Sequence, residues 1–219
     1  MNILAALATA AAAAASFAAL ALTIEQFTQR SRMRRIAEWT TLQATDEANA
    51  NRAAALGRIR AWAAGQVVAT IMVPGRFFTE TAIWLAVVPY VVISQARSSN
   101  LVPAALFGAF VMWVPFRRAI RVYLERYRIV SEYFRGASVE PMKTPYELGG
   151  GPRSELAWAG LLSIGTSAIA FGIALLIRSS SAPWGEFAIV AGSFAIAVAG
   201  EQIRKRTPPV LNFALAKKS

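Results

Sequence analysis

The 219-residue chain is 56% hydrophobic and only 16% charged, with a formal net charge of +11. A soluble domain of this length carries about a quarter charged residues, whereas here the charges are missing from several windows and concentrated between them. The sequence contains no Cys and no His, which excludes disulfides, thiolate nucleophiles, Cys/His metal sites and imidazole acid–base chemistry. Because an ion is costly to bury in hydrocarbon, this alternation predicts an all-α, polytopic membrane protein.

Five windows are long and apolar enough for transmembrane helices, which need roughly 20 residues each. The predicted spans are residues 3–22, 77–95, 98–116, 156–177 and 183–200. The first window also fits a cleaved signal peptide. However, the two residues that precede it supply no side-chain cation, so we expect a retained helix.

The basic residues fall almost entirely on one side of the predicted membrane. Of the 23 Lys and Arg residues, only Arg97 and Arg178 fall on the other side when the five spans are threaded in order. Lys and Arg accumulate on the cytoplasmic side of spanning helices. We therefore expect the N-terminus outside and the C-terminus inside the cell membrane. The abundance of Ala and Arg favours a bacterial inner membrane.

Residues 25–73 are polar enough to leave the membrane, and they predict a cytosolic helical hairpin. The turn is expected within "ATDEANAN", residues 44–51, where Thr45 can cap the returning helix. Residues 66–73 are apolar but too short to span, so they are either interfacial or re-entrant. "VPGR", residues 73–76, is expected to break the helix at the membrane surface.

Residues 117–135 predict a basic amphipathic helix on the cytosolic side. Its apolar stripe consists of Phe116, Ile120, Tyr123, Tyr127, Val130 and Phe134, while Val122 and Ile129 offer a second packing surface. Pairs at i,i+4 are expected between Arg121 and Glu125 and between Arg128 and Glu132. Two interpretations stay open, a helix on the inner headgroup layer or a cytosolic helix packed on its neighbours. The predicted contacts to anionic lipid headgroups or to a partner are Arg117, Arg118, Arg121, Arg126, Arg128 and Arg135.

A Pro- and Gly-rich linker, residues 136–155, separates two hairpins of spans, and a basic tail follows at 201–219. The outer turns "ARSSN" and "IRSSSAP" are alike, which suggests either a duplicated unit or coincidence. Small residues at helix-packing spacing predict close helix contacts. These pairs are Ala104 with Gly108, Ala168 with Gly172, and Ala188 with Gly192.

Glu80 and Glu186 are the candidate intramembrane polar residues, since each lies within one turn of the start of a predicted span. The simpler interpretation is a carboxylate that reaches water and complements the helix dipole. Pro89 is expected to kink the second span. No catalytic motif appears, and we expect no catalytic residues, no metal and no cofactor. Nucleic-acid binding is not expected, because sidedness explains the positive charge.

The leading hypothesis is a non-catalytic integral membrane protein that serves as an accessory, assembly or scaffold subunit. Its expected partners are anionic inner-leaflet lipids and either other membrane subunits or further copies of itself. The alternative is an oligomeric channel or small transporter, which draws on Glu80 and Pro89. A second alternative is an enzyme that modifies lipid headgroups.

Overall fold

The computed structural model describes residues 31–43, 50–73, 75–140, 153–179 and 183–210. These residues form helices and contain no strand, which confirms the predicted all-α class. The predicted span 3–22 and most of the predicted turn and linker lie outside the described residues. The helices are α1 (31–43), α2 (Ala50–Met72), α3 (Arg76–Ser94), α4 (Leu101–Phe134), α5 (Arg153–Arg178) and α6 (Pro183–Arg206).

Three helices, α4, α5 and α6, are long and apolar enough to cross a membrane. The apolar part of α3, Phe78–Ser94, is shorter. Pro89 lies inside α3 without ending it. The structure thus supports a helical membrane protein, while the count of five spans and their sidedness stay predictions.

The described helices belong to two compact units. The first contains α3, residues 101–121 of α4, α5 and α6, and the second contains α1, α2, residues 122–140 and residues 207–210. The basic segment predicted as a separate helix therefore continues the helix that starts at Leu101. Pro115 lies inside this helix without breaking it.

In the first unit, α5 and α6 pack as an antiparallel pair through four glycines. Gly165 lies opposite Gly192, and Gly172 lies opposite Gly185. A Cβ atom at Gly172 would approach the Gly185 carbonyl oxygen to 2.5 Å, and one at Gly192 would approach the Gly165 oxygen to 2.5 Å. Only glycine permits such backbone contact. The predicted small-residue pairs contained Gly172 and Gly192. However, the two glycines that contact the facing helix are seven residues apart in each helix, not four.

The helix α3 packs against α4 around Gly108. A Cβ there would lie 2.6 Å from Cγ1 of Val88, and the neighbouring side chains of Val92 and Met112 are fully buried. The hydroxyl of Thr81 in α3 donates a 3.0 Å hydrogen bond to the Pro115 carbonyl oxygen of α4. This polar contact lies between otherwise apolar helix faces, where hydrogen bonds contribute to association.

In the second unit, α2 packs on the C-terminal part of α4, where Gly65 approaches the carbonyl oxygen of Val130. The side chains of Val122 and Ile129 are completely buried, which confirms the predicted second packing surface. Residues 66–72 continue α2 rather than forming a separate segment, because nothing between Ala50 and Met72 interrupts the helix. The helix ends before "VPGR", as predicted.

Gly136 terminates α4 in the left-handed conformation, with φ of +74°. Its amide donates to the carbonyl of Tyr133, and the amide of Ala137 donates to the carbonyl of Glu132. This is a Schellman cap, and it satisfies carbonyls that the helix end would otherwise leave open.

Candidate functional site

A group of charged and polar residues of the first unit lies where the apolar parts of α3 and α5 begin and that of α4 ends. We call this set the boundary cluster. Its members are Glu80 of α3, Arg117, Arg118 and Arg121 of α4, and Ser154 and Glu155 of α5. The acidic residues lie in the N-terminal parts of α3 and α5, where a negative charge interacts favourably with the helix dipole. The arginines follow the apolar part of α4, so their aliphatic stems can cover apolar surface while the guanidiniums stay in polar surroundings.

Glu80 binds Arg118, with 2.8 Å between Oε1 of the carboxylate and NH1 of the guanidinium. The two side chains are 34% and 22% exposed, respectively. The sequence predicted that Arg118 points away from the apolar stripe of α4. On that side of α4, Arg118 contacts α3. Glu80, predicted as an intramembrane polar residue, is therefore one half of an interhelical ion pair.

Arg121 binds Glu155 across the α4–α5 contact, with 3.0 Å between Nε and Oε2. The side chains are only 11% and 9% exposed, so the pair is buried. The predicted pairing of Arg121 with Glu125 is wrong, because Glu155 takes the guanidinium. Glu155 was assigned to the linker 136–155, but it lies in the first turn of α5.

Arg117 lies between two residues of α4 that contact the first turn of α5. Trp113, one turn before it, donates from Nε1 to the Leu156 carbonyl oxygen at 3.0 Å, and Arg121, one turn after it, binds Glu155. Residues four apart share a helix face, so Arg117 also faces this turn. Among the described residues, the buried atoms Arg117 Nε and Ser154 Oγ have no hydrogen-bond partner.

The remaining predicted headgroup arginines lie in the second unit. Arg126 donates from Nε and NH2 to the Val73 carbonyl oxygen at 3.0 and 2.9 Å, which closes the end of α2. Arg135, just beyond α4, is exposed.

Arg128 binds carboxylates on both sides along α4, with 2.6 Å to Glu125 and 2.6 Å to Glu132. The predicted pair of Arg128 with Glu132 is thereby confirmed. The hydrogen bonds that the Arg128 guanidinium donates to the carboxylate of Glu125 and to that of Glu132 raise the pKa of Arg128 above its usual value. Arg128 also donates to the Glu140 carbonyl oxygen at 2.9 Å, which holds the chain that leaves α4.

The two ends of α6 carry further charges of the first unit. Glu186 is exposed in its first turn, the position that the simpler interpretation expects. In the last turns, Glu201 binds Arg204 at 2.8 Å. The hydrogen bond from Arg204 lowers the pKa of Glu201 below its ordinary value. Arg206 lies 5.5 Å from the ring centre of Trp158 in a cation–π contact with α5.

Sequence reasoning missed Ser154, Glu155 and Trp113. A signal for Glu155 was present, since an acidic residue directly before an apolar run marks a helix start. No local signal shows that Arg121 reaches it, because the two residues are far apart in sequence. Within the described part of the chain, no group of three or more acidic residues is placed to hold a metal.

Comparison of the chain with protein-family models, with curated proteins and with solved structures found no match. The chemistry of the boundary cluster therefore has to be inferred from its own residues. Two interhelical ion pairs connect α3 to α4 and α4 to α5, and the buried Nε of Arg117 beside them has no hydrogen-bond partner among the described residues.

Proposed function

We propose that the chain is a non-catalytic integral membrane protein that acts as an accessory, assembly or scaffold subunit of a membrane complex. In this proposal all five apolar windows cross a cell membrane, most simply a bacterial inner membrane, with the N-terminus outside and the C-terminus inside. The three long apolar helices α4 to α6 support the membrane placement. The distribution of basic residues supports the orientation.

The observation that supports the proposal most strongly is that most carboxylates in the described part of the first unit bind arginine. The described part of the first unit contains four carboxylates, and three of them bind arginine: Glu80 with Arg118, Glu155 with Arg121, and Glu201 with Arg204. A general acid or base must be within reach of a substrate proton and able to exchange it. A carboxylate engaged by a guanidinium can do this only by giving up that contact. Glu80 and Glu155 therefore serve to connect helices, while Glu201 pairs within α6.

A scaffold also needs surface for other components, and α6 offers it. Its large apolar side chains Trp184, Phe187, Val190 and Phe194 are 75%, 65%, 68% and 69% exposed. Phe187, Val190 and Phe194 lie on the face opposite Gly185 and Gly192, which hold α6 to α5, and Trp184 lies to one side of that face. In a bilayer this face is available to lipid tails and to the helices of a partner.

Partner capture tests the proposal. The full chain, tagged and produced at its native level, is cross-linked in intact cells, extracted in mild detergent and analysed by quantitative mass spectrometry. We expect a stoichiometric membrane-protein partner that an equally tagged, unrelated multi-pass protein does not retain. Recovery of the chain by itself in all detergents would contradict the proposal.

A flux assay separates the proposal from a channel or transporter. Liposomes that contain the pure chain are compared with liposomes that contain Glu80→Gln or Glu186→Gln across a panel of ions and solutes. We expect no flux from any of the three, because Glu80 serves as a structural ion in the pair with Arg118. Flux that Glu80→Gln abolishes and Glu186→Gln preserves would establish the channel or transporter in its place.

A further inference from the structure

We propose that Arg117 and Ser154 bind the phosphate of one anionic glycerophospholipid whose acyl chains lie along the exposed face of α4. The inference deepens the proposed function, because it rests on the placement of α4 in a membrane. The predicted lipid-binding surface of six arginines is thereby reduced to one site, which consists of the guanidinium of Arg117 and the hydroxyl of Ser154.

The six arginines predicted to contact headgroups are not equivalent. The guanidiniums of Arg118 and Arg121 bind carboxylates of α3 and α5, that of Arg126 binds a backbone carbonyl, and that of Arg128 binds two carboxylates. Arg117 differs, since no hydrogen bond from its guanidinium to another described residue is found. Single nitrogens of Arg118 and Arg121 are buried without a partner as Arg117 Nε is, but those two guanidiniums bind carboxylates through another nitrogen. Buried polar atoms without partners are rare in folded proteins and call for a specific explanation. A bound anion provides one.

Ser154 adds a second donor at the same place. Its buried hydroxyl oxygen likewise has no partner among the described residues, and it precedes Glu155, the residue that Arg121 binds. Arg117 faces this turn of α5 because Trp113 and Arg121, one helical turn away on either side, both contact it. A phosphate oxygen at this turn can accept from the guanidinium and from the hydroxyl together.

The charge of the boundary cluster also fits a phosphodiester. Its three arginines exceed its two carboxylates by one positive charge. Since both carboxylates are engaged by Arg118 and Arg121, the excess charge belongs to Arg117. A phosphodiester carries one negative charge, so it neutralises the cluster without further ions.

The exposed apolar surface of α4 matches the acyl part of the same molecule. One leaflet of hydrocarbon is about 15 Å thick, which corresponds to about ten residues of helix. Counted back from Arg117, this length reaches Phe107. Phe107, Phe110 and Trp113 are 67%, 70% and 37% exposed over this distance. Trp is also the side chain that favours the membrane–water boundary, which is where a phosphate next to Arg117 would lie.

Native mass spectrometry of the purified full chain tests the site. Phosphatidylglycerol or phosphatidylcholine is added in detergent, and the retained lipid is counted for the wild type, for Arg117→Gln and for Arg135→Gln. We expect Arg117→Gln to weaken phosphatidylglycerol retention about tenfold, the loss of one charge-assisted contact. Arg135→Gln removes the same charge from an exposed position and should leave retention unchanged. Equal losses in both variants, or no loss in either, would overturn the proposal.

Two further variants guard against misfolding as the explanation. Ser154→Ala keeps every charge and should weaken phosphatidylglycerol retention about fivefold, the contribution of one neutral hydrogen bond. Arg117→Lys keeps the cation and should retain more lipid than Arg117→Gln. Helix content and elution volume in detergent must match the wild type in each case. Unchanged retention in a correctly folded Ser154→Ala variant would remove the hydroxyl from the site.

Soluble glycerol phosphate distinguishes a lipid from a free phosphate. We expect it to displace phosphatidylglycerol only at large excess, because it cannot contact Phe107 and Phe110. Displacement at equal concentration would make the site one for a soluble phosphate and would overturn the lipid assignment. Partner capture repeated with Arg117→Gln keeps the two proposals apart, since a retained partner with lost lipid, or the reverse, shows which one has failed.

Discussion

The guanidinium Nε of Arg121 donates to Oε2 of Glu155 at 3.0 Å, and the two side chains are only 11% and 9% exposed. Of the ion pairs described, this is the most buried, and it joins α4 to α5 where both helices meet the predicted membrane boundary. Burying two charges costs desolvation energy, which their attraction offsets only if both remain.

Glu155→Gln should therefore destabilise the fold by about 3–5 kcal/mol, because the charge of Arg121 then stays buried beside a neutral group. The measurement is reversible unfolding in mixed micelles. Glu201→Gln is the control, since its pair with Arg204 is exposed and its loss should not be measurable. The double variant Arg121→Met with Glu155→Leu should recover most of the stability. Equal effects of Glu155→Gln and Glu201→Gln would contradict the burial of the pair.

Gly172→Ala and Gly160→Ala in the same helix should change stability in opposite directions. A Cβ at Gly172 would meet the Gly185 carbonyl oxygen at 2.5 Å, so α5 and α6 must separate, at a cost of about 1–3 kcal/mol. A Cβ at Gly160 meets nothing within 4 Å. Ala should there stabilise α5 by up to about 1 kcal/mol through helix propensity. Thermal unfolding in detergent reports both, and a loss of stability in Gly160→Ala would show a contact at that face.

Arg126→Met should loosen the end of α2. It removes two hydrogen bonds from a charged group to the Val73 carbonyl oxygen, at 3.0 and 2.9 Å, which is worth about 1.5–3 kcal/mol. Hydrogen exchange should accelerate at the amides of the last turn of α2 and stay unchanged in α5. Arg135→Met provides the matched loss of an exposed charge. Uniform acceleration throughout the chain would point to global destabilisation instead.

Arg204→Gln should raise the pKa of Glu201 towards its ordinary value of 4.5, since the hydrogen bond from Arg204 is the main cause of its lowering. The pair is complete above that ordinary value and is lost as the pH falls through the lowered pKa. Carboxyl ¹³C chemical shifts of labelled Glu follow the titration. Lys205→Gln, which removes only a weaker Coulombic contribution, should raise the pKa less. A larger effect of Lys205→Gln would reverse this assignment.

Local pattern was enough to predict the helical class, the positions of the apolar segments in α4, α5 and α6, and the pair of Arg128 with Glu132. These features depend on composition and on residues one turn apart. The same pattern failed for Arg121, whose partner Glu155 comes from another helix. Arg118, Arg121 and Arg126 likewise bind groups that are distant in sequence, and only the tertiary structure reveals these contacts.

The continuity of α4 was also beyond the sequence pattern. The change from apolar to basic residues after Phe116, next to Pro115, resembles a boundary between a span and a surface helix. The structure continues the helix through it to Phe134. Similarly, the search for small residues four apart found Gly172 and Gly192 but not the spacing of seven, because the facing helix decides which glycines matter.

The reciprocal glycine contacts restrict how α5 and α6 can move. Gly165 and Gly172 stand two helical turns apart, as do Gly185 and Gly192, so each helix carries two gaps at the same pitch. If one helix slid along the other by a single turn, a residue with a Cβ atom would be pushed against a carbonyl oxygen that now faces only the Hα of a glycine. Sliding of α5 along α6 is therefore blocked, and we expect any displacement to move both helices together as one rigid body.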